Sequence, residues 1–428
     1  MFIDELKKLG FNTPTPIQQE VFNHFGKGDI VAKAKTGSGK TLAFVAPIVA
    51  TKKEQNGLHT LIIAPTRELA LQIQEVFKAL KSPIKTALLI GGEPISAQLK
   101  ALEGANVIIG TPGRLIDMLS RGLELKSIDT LVLDEADRML DMGFRDEVLQ
   151  IVKKLPQTKQ GLFFSATYKD SIESFAKQIL NEPLFLQSRQ ESALNIKEYY
   201  ALTSQKEQTL LNVLAFKHPK KAVIFAETKD EVFELFKFLK NQGLEATYIN
   251  GNLEQTQRFE NITLFKNGSK PLLVATDLAS RGLDIKGVDL IINYTLPFKK
   301  ETYTHRVGRT ARADAKGEIV NIIYKAELAK LSELTNSAKE LKITPKELNL
   351  KPKYSTIKIN AGKRRKIRAG DIIGTLCKNL GLDGENIGDI NIDKECSYIA
   401  LNKELAVDTV NRLNGTKIKK QKVKAWLL

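Results

Sequence analysis

A glycine-rich stretch near the N-terminus has the residue types and spacing of a loop that wraps phosphates. It reads AKTGSGKT from Ala34 to Thr41 and follows a short apolar run. In such loops the backbone N–H groups surround phosphate oxygens, the lysine reaches the terminal phosphates and the last hydroxyl binds Mg²⁺. The predicted nucleotide- and metal-binding residues of this loop are Thr36, Gly37, Ser38, Gly39, Lys40 and Thr41. The stretch therefore predicts a nucleotide and Mg²⁺ as cofactors.

A second apolar run, LVLDEAD, ends in the acidic residues that such a site requires. Asp134 is predicted to bind Mg²⁺ and Glu135 to orient the attacking water. A strand-end acidic pair is, by itself, more often the N-cap of the next helix than a catalytic pair. Its occurrence together with the phosphate loop reverses that balance, so that Lys40, Asp134 and Glu135 are predicted to be catalytic.

Short apolar runs with small or polar endings indicate the elements that position these residues. Five such runs lie between residues 30 and 165, and five more between residues 199 and 338. This rhythm is typical of doubly wound parallel sheets, which bind ligands at the carboxyl ends of their strands. From Ser355 onward the pattern changes to βαββαβ, the order of an RNA-recognition-motif sheet.

We therefore predict an α/β protein of three domains, at residues 1–188, 195–340 and 353–428. Residues 187–195 are predicted to be a linker, residues 326–341 a helix, and the proline-containing stretch after it a connector. The 428 residues, 42% of them apolar, suffice for several buried cores.

The charge balance favours a polyanionic partner. Lysine and arginine number 65 against 49 acidic residues, a net charge of +16. Cys377 and Cys396, the two cysteines, offer neither a disulfide framework nor a zinc spacing. The first ten residues lack the apolar core of a signal peptide, and no later run is long enough to span a membrane. A cytoplasmic protein is expected, and without heptad repeats a monomer.

Eight motifs occur in a fixed order along the first 312 residues. They are PTPIQ (14–18), PTRELA (65–70), TPGR (111–114), DEAD (134–137), SAT (165–167), QTQR (255–258), ATDLASRGLD (275–284) and HRVGRTAR (305–312). With them the chain resembles the DEAD-box RNA helicase family over residues 1 to about 340. The resemblance implies two tandem RecA-like domains, hydrolysis of ATP with Mg²⁺, and RNA as the partner.

The resemblance also implies roles for individual residues. Gln18 would read the adenine edge while Phe11 packs on the base, and Asp284 would bind the ribose. Arg309 and Arg312 would reach the γ-phosphoryl group from the second domain and join the catalytic set. Ser165, Thr167 and His305 would couple nucleotide state to domain closure. Contacts to the RNA backbone are implied for Arg67, Gly92, Thr111, Arg114, Arg258 and Thr276.

The C-terminal piece is more basic than the rest of the chain. Residues 353–428 hold 16 lysines and arginines against 8 acidic residues, which is half of the net charge. By itself a basic run is equally well a solvated surface or an RNA-binding segment. The residues predicted to bind RNA here are Lys363, Arg364, Arg365, Lys366, Arg368 and Tyr398, with a second basic run at 417–424 that leads into the last strand.

The stretch INAGKRRKIRAGDIIGTLC (359–377), with IGDINI (387–392), resembles the C-terminal RNA-binding domain of a bacterial subgroup of the same family. That resemblance implies a hairpin of large-subunit ribosomal RNA as target, pre-ribosomal particles as partners, and a role in assembly of the large ribosomal subunit. Three alternatives stay open: a general RNA helicase with a nonspecific RNA tether, an ATP-driven RNA clamp that does not separate strands, and a DNA-directed translocase of the same superfamily. The DEAD-type motifs and the RNA-recognition-like C-terminal piece disfavour the last of these.

Overall fold

Two seven-stranded parallel sheets and one four-stranded antiparallel sheet form the fold in this computed structural model. The structure describes residues 2–34, 38–52, 54–157, 159–166, 170–187, 196–277, 287–308, 310, 317–344 and 346–428. The α/β architecture predicted from the sequence is confirmed. Within these described ranges, no helix is long and apolar enough to cross a membrane.

The first sheet forms domain 1. Its strands are β1 (Ile30–Lys33), β2 (Thr60–Ile63), β3 (Thr86–Leu89), β4 (Val107–Gly110), β5 (Thr130–Leu133), β6 (Gln160–Ser165) and β7 (Leu184–Gln187), in the spatial order β3-β4-β2-β5-β6-β1-β7. Its helices are α1 (Phe2–Lys7), α2 (Pro16–His24), α3 (Lys40–Lys52), α4 (Arg67–Ala79), α5 (Ile95–Leu102), α6 (Pro112–Ser120), α7 (Ala136–Asp141), α8 (Arg145–Val152) and α9 (Asp170–Ile179).

Helices cover both faces of this sheet, which explains its continuous apolar strands. Along β6, Leu162 and Phe164 enter one buried cluster and Phe163 enters the other. Successive side chains of a strand point to opposite faces, so both must be apolar when both faces are buried. Because all seven strands are parallel, the carboxyl ends of β1, β5 and β6 lie at the same edge of the sheet. The predicted site residues of domain 1 come directly after these strands.

The second sheet forms domain 2. Its strands are β8 (Ile196–Leu202), β9 (Ala222–Phe225), β10 (Ala246–Ile249), β11 (Leu272–Ala275), β12 (Leu290–Asn293), β13 (Gly317–Ile323) and β14 (Lys339–Glu340), in the spatial order β10-β11-β9-β12-β13-β8-β14. The helices described are α10 (Lys206–Lys217), α11 (Lys229–Asn241), α12 (Gln255–Lys266), α13 (Lys300–Val307) and α14 (Leu328–Leu334).

The segment after α14 differs from the prediction. The expected helix over 326–341 ends at Leu334, and residues 339 and 340 pair with β8 as a strand. The connector that follows packs on the core of domain 2 through Leu341, Ile343, Leu348 and Leu350. Apolar residues at these positions fix the segment on the surface of domain 2 as far as residue 350. The predicted domain bounds stay a prediction.

The C-terminal domain has the predicted βαββαβ order with one addition. Its elements are β15 (Tyr354–Ile359), α15 (Ala369–Gly374), β16 (Ile387–Ile392), β17 (Ser397–Asn402), α16 (Lys403–Asn414), β18 (Lys417–Ile418), β19 (Gln421–Lys422) and β20 (Ala425–Leu427). The large sheet has the order β16-β17-β15-β20, while β18 and β19 form a separate hairpin. The second basic run, predicted to lead into the last strand, forms this hairpin on the way to β20.

The C-terminal domain is docked on domain 2, and the two belong to one compact unit. The Tyr398 ring lies 6.0 Å from the ring of Phe259, and its hydroxyl donates to Glu260 Oε2 at 3.0 Å. Lys358 also pairs with that carboxylate. A buried pair of hydrogen bonds joins Thr356 Oγ1 to Asn267 and Ser269, and Lys403 Nζ lies 3.7 Å from Glu245 Oε1. We call these contacts the docking interface.

Candidate functional site

The described part of the phosphate loop is held by α2. Thr15 Oγ1 donates to the Ser38 carbonyl at 2.8 Å, and the Gln18 side-chain amide donates to the Gly39 carbonyl at 3.0 Å. Gly39 has φ +86°, and a Cβ there would lie 2.5 Å from Gln18 Nε2. Glycine is therefore required both by conformation and by space. The predicted residues Thr36 and Gly37 lie outside the described residues.

Lys40 and Asp134 are two buried groups of opposite charge that lie near each other at the loop. Lys40 begins α3, and Asp134 directly follows β5. Among the residues that the structure describes, Lys40 Nζ is buried without a hydrogen-bond partner. Burial raises the pKa of the Asp134 carboxyl to about 6, although the neighbouring Lys40 charge opposes the rise. A buried cation without an acceptor fits a site that is completed by phosphate oxygens.

Glu135 has an unusual backbone and a partner that the sequence reasoning missed. Its φ of 53° and ψ of 50° are left-handed, a conformation that costs a non-glycine residue about 1–3 kcal/mol. Its carboxylate pairs with Arg138, one turn further along α7, and the exposures of the two residues are 7% and 2%. The spacing of three residues on a helix is the signal that would have predicted this pair.

The last acidic residue of the DEAD motif connects two of the predicted motifs. Asp137 Oδ2 accepts a hydrogen bond from the Ala166 backbone N–H at 3.1 Å. Ala166 follows Ser165, which ends β6 and is fully buried. The described structure thus places the predicted coupling residue Ser165 beside the DEAD motif that follows β5, while Thr167 lies outside the described residues.

The predicted adenine contacts are only partly available. The Gln18 amide oxygen accepts from the Thr15 N–H at 2.8 Å, and its nitrogen holds Gly39, so the side chain supports the phosphate loop. These contacts use one of the two N–H donors of the amide, so that the other can still contact a base. Phe11 is 53% exposed and is free to pack on a base. Adenine reading by Gln18 and Phe11 stays a prediction.

Three of the predicted RNA contacts of domain 1 converge on one loop. The Arg67 guanidinium lies against the backbone of Gly91 and Gly92, where a Cβ would be 2.5 and 2.6 Å from its nitrogens. Arg114 Nη1 donates to the Glu93 carbonyl of the same loop at 3.2 Å. Thr111, at the start of α6, also belongs to the predicted set. The loop thus presents two arginines beside bare backbone, an arrangement that suits a phosphate chain.

The predicted residues of domain 2 lie on separate elements. Arg258 is on α12, His305 is on α13, and Thr276 follows β11 and is 8% exposed. Asp284, Arg309 and Arg312 lie outside the described residues.

A residue that the sequence reasoning missed joins two of these motifs. Arg306 makes two hydrogen bonds to the Asp277 carboxylate, at 2.6 and 2.8 Å, and donates to the Thr295 carbonyl at 2.7 Å. It therefore fixes α13, which carries His305, to the segment that carries Thr276.

In the C-terminal domain, the basic turn is exposed but Tyr398 is not. The side chains of residues 363–366 and of Arg368 face solvent. Tyr398 is 4% exposed because Phe259 and Glu260 cover it, and burial raises the pKa of its hydroxyl. A base cannot stack on a covered ring, so the predicted RNA contact of Tyr398 is corrected: this residue belongs to the docking interface.

Comparison with protein families accounts for three parts of the chain. Residues 15–175 match the DEAD/DEAH box helicase family, and residues 205–314 match the helicase conserved C-terminal domain. Residues 356–427 match the DbpA RNA binding domain. The chain belongs to the DEAD-box RNA helicase family.

Individual relatives of this DEAD-box helicase agree with the family match. The ATP-dependent RNA helicase DbpA of Escherichia coli is 35% identical, with 100% of this chain and 97% of the relative aligned. The structure of S. cerevisiae Dbp5 bound to RNA and ADP BeF3 is similar with a TM-score of 0.70 and 28% identity, over 79% of this chain and 93% of that one. The structure of Mss116p bound to ssRNA and AMP-PNP is similar with a TM-score of 0.70 and 29% identity, over 79% of this chain and 77% of that one.

The enzyme is thus an ATP-dependent RNA helicase with two RecA-like domains and a C-terminal domain of the DbpA type. The expectation of RNA as partner and ATP as nucleotide, drawn from the motifs, is confirmed at the level of the family.

Replacement of Gly92 by alanine is expected to raise the RNA concentration that half-activates ATP hydrolysis about tenfold. The new Cβ would displace Arg67 from the loop, and one charge-assisted contact is worth about 1.5 kcal/mol. Titration of ATP hydrolysis with single-stranded RNA measures the shift. Gly57→Ala is the matched control, because Gly57 has φ +78° against +79° for Gly92 but open space around it. Equal shifts in both variants would assign the effect to backbone strain rather than to Arg67.

Proposed function

We propose that this helicase is directed by its C-terminal domain to a hairpin of large-subunit ribosomal RNA. Its place of action would be the cytoplasm, and its role the assembly of the large ribosomal subunit, where the enzyme works as a monomer on pre-ribosomal particles. The match to the DbpA RNA binding domain supports the assignment of RNA binding to residues 356–427. The observation that carries the proposal is the construction of the basic surface of this domain.

The basic turn at residues 363–366 is fixed in place by its backbone. The Lys363 N–H donates to the Asp393 carbonyl at 2.8 Å, and the Arg364 N–H donates to the Lys394 carbonyl at 2.9 Å. Gly362 permits this approach, since a Cβ there would lie 2.4 Å from the Asp393 carbonyl oxygen. A solvated charge run has no need of such anchoring. A turn with fixed backbone presents its cations in one arrangement, as recognition of a shaped RNA requires.

The hairpin formed by β18 and β19 extends the same surface. Lys419 Nζ donates to the Lys366 carbonyl at 2.8 Å, and Gln421 Nε2 donates to the Arg365 carbonyl at 3.2 Å. We call the joined elements the basic surface; its exposed cations are Lys363, Arg364, Arg365, Lys366, Arg368, Lys417, Lys419, Lys420 and Lys422. Lys419 and Lys420 both have left-handed backbones, with φ of 50° and 65°. This turn makes the hairpin short and places two lysines at its tip.

Mg²⁺ is the metal that the site would use with ATP. Mg²⁺ usually keeps several waters and is held by one or two carboxylates together with substrate phosphates. Asp134 and the Thr41 hydroxyl fit that requirement, since Asp134 is a buried carboxylate beside a lysine for which the described part of the chain offers no hydrogen-bond acceptor. When bound, the metal neutralises charge on the transferred phosphoryl group.

The chain's own residues would perform the remaining tasks of hydrolysis. Lys40 would hold the terminal phosphates, and Glu135 would orient the attacking water and take up its proton. Arg309 and Arg312, as the family motif implies, would stabilise the transition-state charge.

The proposal predicts that the cations of the basic turn determine RNA choice. In the full chain, Arg364→Ala, Arg365→Ala and Arg368→Ala together are expected to weaken binding of the ribosomal hairpin about a hundredfold. The reason is that each arginine lost removes about one phosphate contact and lowers the salt dependence of binding accordingly. Affinity is measured against a fragment of large-subunit ribosomal RNA that contains the hairpin and against generic RNA of equal length.

The matched control removes three exposed lysines elsewhere, at Lys27, Lys126 and Lys378. It alters net charge equally and is expected to reduce affinity for both RNAs by a similar small factor. Equal affinity of the unmodified enzyme for the hairpin and for generic RNA would refute the ribosomal target and leave a general RNA helicase. A duplex assay then distinguishes strand separation from clamping alone. Truncation after domain 2 is a poorer test, because it uncovers the docking interface.

A further inference from the structure

Three side chains form a row across the outer face of the C-terminal sheet. Strand register places Lys358 opposite Tyr398 on one side and opposite Trp426 on the other. Lys358 Nζ lies 5.5 Å from the centre of the Tyr398 ring and 5.6 Å from that of Trp426. In RNA-recognition motifs, the aromatic residues of this face stack on bases. The row therefore has the composition of a base-stacking surface.

The two ends of the row have different environments. Tyr398 is 4% exposed under domain 2, whereas Trp426 is 38% exposed. Lys358, between them, is paired with Glu260 of α12, which neutralises its charge and fixes its position. The docking interface thus removes one aromatic residue from the stacking face and leaves the other at the rim, in contact with solvent.

Trp426 also continues the basic surface. From the end of β19 into β20, Lys422, Lys424 and Trp426 are exposed, and they alternate with the buried Val423 and Ala425. This alternation puts the two lysines and the indole on the solvent side of the segment, so the lysines lead from the β18–β19 hairpin toward the indole. Two hydrogen bonds fix this path at Lys424. The Asn360 N–H donates to the Lys424 carbonyl at 3.0 Å, and the Lys424 N–H donates to Asn360 Oδ1 at 2.7 Å.

On the basis of the RNA-binding function proposed above, we propose that Trp426 is a stacking site for one unpaired base of the RNA. The base would belong to a single-stranded segment next to the hairpin held by the basic surface. Lys422 and Lys424 would contact the phosphates on the way. An aromatic ring at the end of a line of cations is the arrangement with which proteins hold single-stranded RNA, and every base has a face that can stack.

The occupant is an RNA strand rather than a protein for a reason of charge. An exposed indole flanked by lysines, in a domain of net charge +8, is complementary to a strand that carries a phosphate at every nucleotide. An apolar protein surface would leave those lysines to be desolvated without partners.

The single tryptophan of the chain permits a direct test, because it is the only source of indole fluorescence. The full-length enzyme is titrated with hairpin RNA that carries a single-stranded extension of about five nucleotides, and with the same hairpin without it. Binding is followed in parallel by the anisotropy of a dye on the RNA. We expect the extended RNA to quench Trp426 at the concentrations at which it binds, and the blunt hairpin to bind without quenching.

Two substitutions separate stacking from folding. Trp426→Ala is expected to weaken binding of the extended RNA about tenfold, the loss of one stacked base, and to leave the blunt hairpin unaffected. Trp426→Phe keeps a ring and the fold, and is expected to lose only about threefold. Thermal unfolding of both variants verifies that the domain is intact.

The outcomes distinguish this site from the ribosomal target. Saturated binding of the extended RNA with unchanged tryptophan fluorescence would overturn the stacking site, as would equal losses on both RNAs in Trp426→Ala. If the enzyme binds the hairpin no more tightly than generic RNA, the proposed ribosomal target is refuted. In that case the stacking site is tested with single-stranded RNA. Quenching of Trp426 by this RNA, together with about tenfold weaker binding by Trp426→Ala, would support the site, and the absence of quenching would overturn it.

Discussion

Glu135→Gln is expected to abolish RNA-stimulated ATP hydrolysis, by a factor of about 10²–10⁴, while ATP and RNA remain bound. The amide has the shape of the carboxylate and still offers an oxygen to Arg138. The left-handed backbone at residue 135 and the buried contact with Arg138 are therefore expected to remain. It has no basicity, however, and cannot take the proton of the attacking water. Release of phosphate under saturating RNA measures the loss, and equilibrium binding of ATP and RNA measures what is retained.

A carboxylate at the other end of the same helix is the control for this substitution. Asp141 ends α7 and is exposed, so Asp141→Asn makes the same chemical change away from the phosphate loop. Its rate of hydrolysis is expected to equal that of the unmodified enzyme. Near-normal phosphate release by Glu135→Gln would show that another group activates the water.

Glu260→Lys is expected to release the C-terminal domain from domain 2. Glu260 accepts from both Tyr398 and Lys358, so reversal of its charge leaves two donors without an acceptor and adds a second cation beside Lys358. Loss of a partly buried ion pair with its hydrogen bonds costs about 2–4 kcal/mol, a large share of the stability of such an interface. Domain 2 and the C-terminal domain would then unfold in separate thermal transitions, and the connector near residue 350 would be cut more readily by protease.

Reversal of the charge at Glu333 tests whether any such change has this effect. Glu333 is exposed near the end of α14, where a lysine is compatible with the helix dipole. Glu333→Lys is expected to unfold like the unmodified chain. If Glu260→Lys also keeps a single transition and an intact connector, the docking interface does not hold the domains together.

The fold was predictable where strands are buried on both faces. Runs such as LVLDEAD are continuously apolar because helices cover both sides of the sheet, and each of those runs is a strand. The edge strands β3 and β7 of domain 1 were missed although each contains a short apolar run, TALL and LFLQ. Neither strand is buried throughout: in β3 half-buried and buried residues alternate, and in β7 only Leu186 is buried.

The site was predictable as far as its motifs extend. Lys40 begins α3 and Asp134 directly follows β5, while their catalytic roles stay a prediction. The Arg138 partner of Glu135 follows from local helix geometry that the motif does not specify. The docking interface could not be predicted at all. Tyr398 and Glu260 are 138 residues apart, and the aromatic on a predicted RNA-recognition sheet pointed to RNA before any partner surface was known.

The shared use of α12 has a consequence for how this enzyme can diversify. The helix carries Arg258 of the helicase core and, in the next two positions, Phe259 and Glu260 of the docking interface. A C-terminal domain with a different RNA preference cannot simply replace this one, because its sheet would have to offer counterparts of Lys358 and Tyr398. New specificity is therefore more readily gained by exchange of residues on the basic turn, which domain 2 does not cover, than by exchange of the module. Chimeras that join the two parts at the connector should transplant α12 together with the domain that it supports.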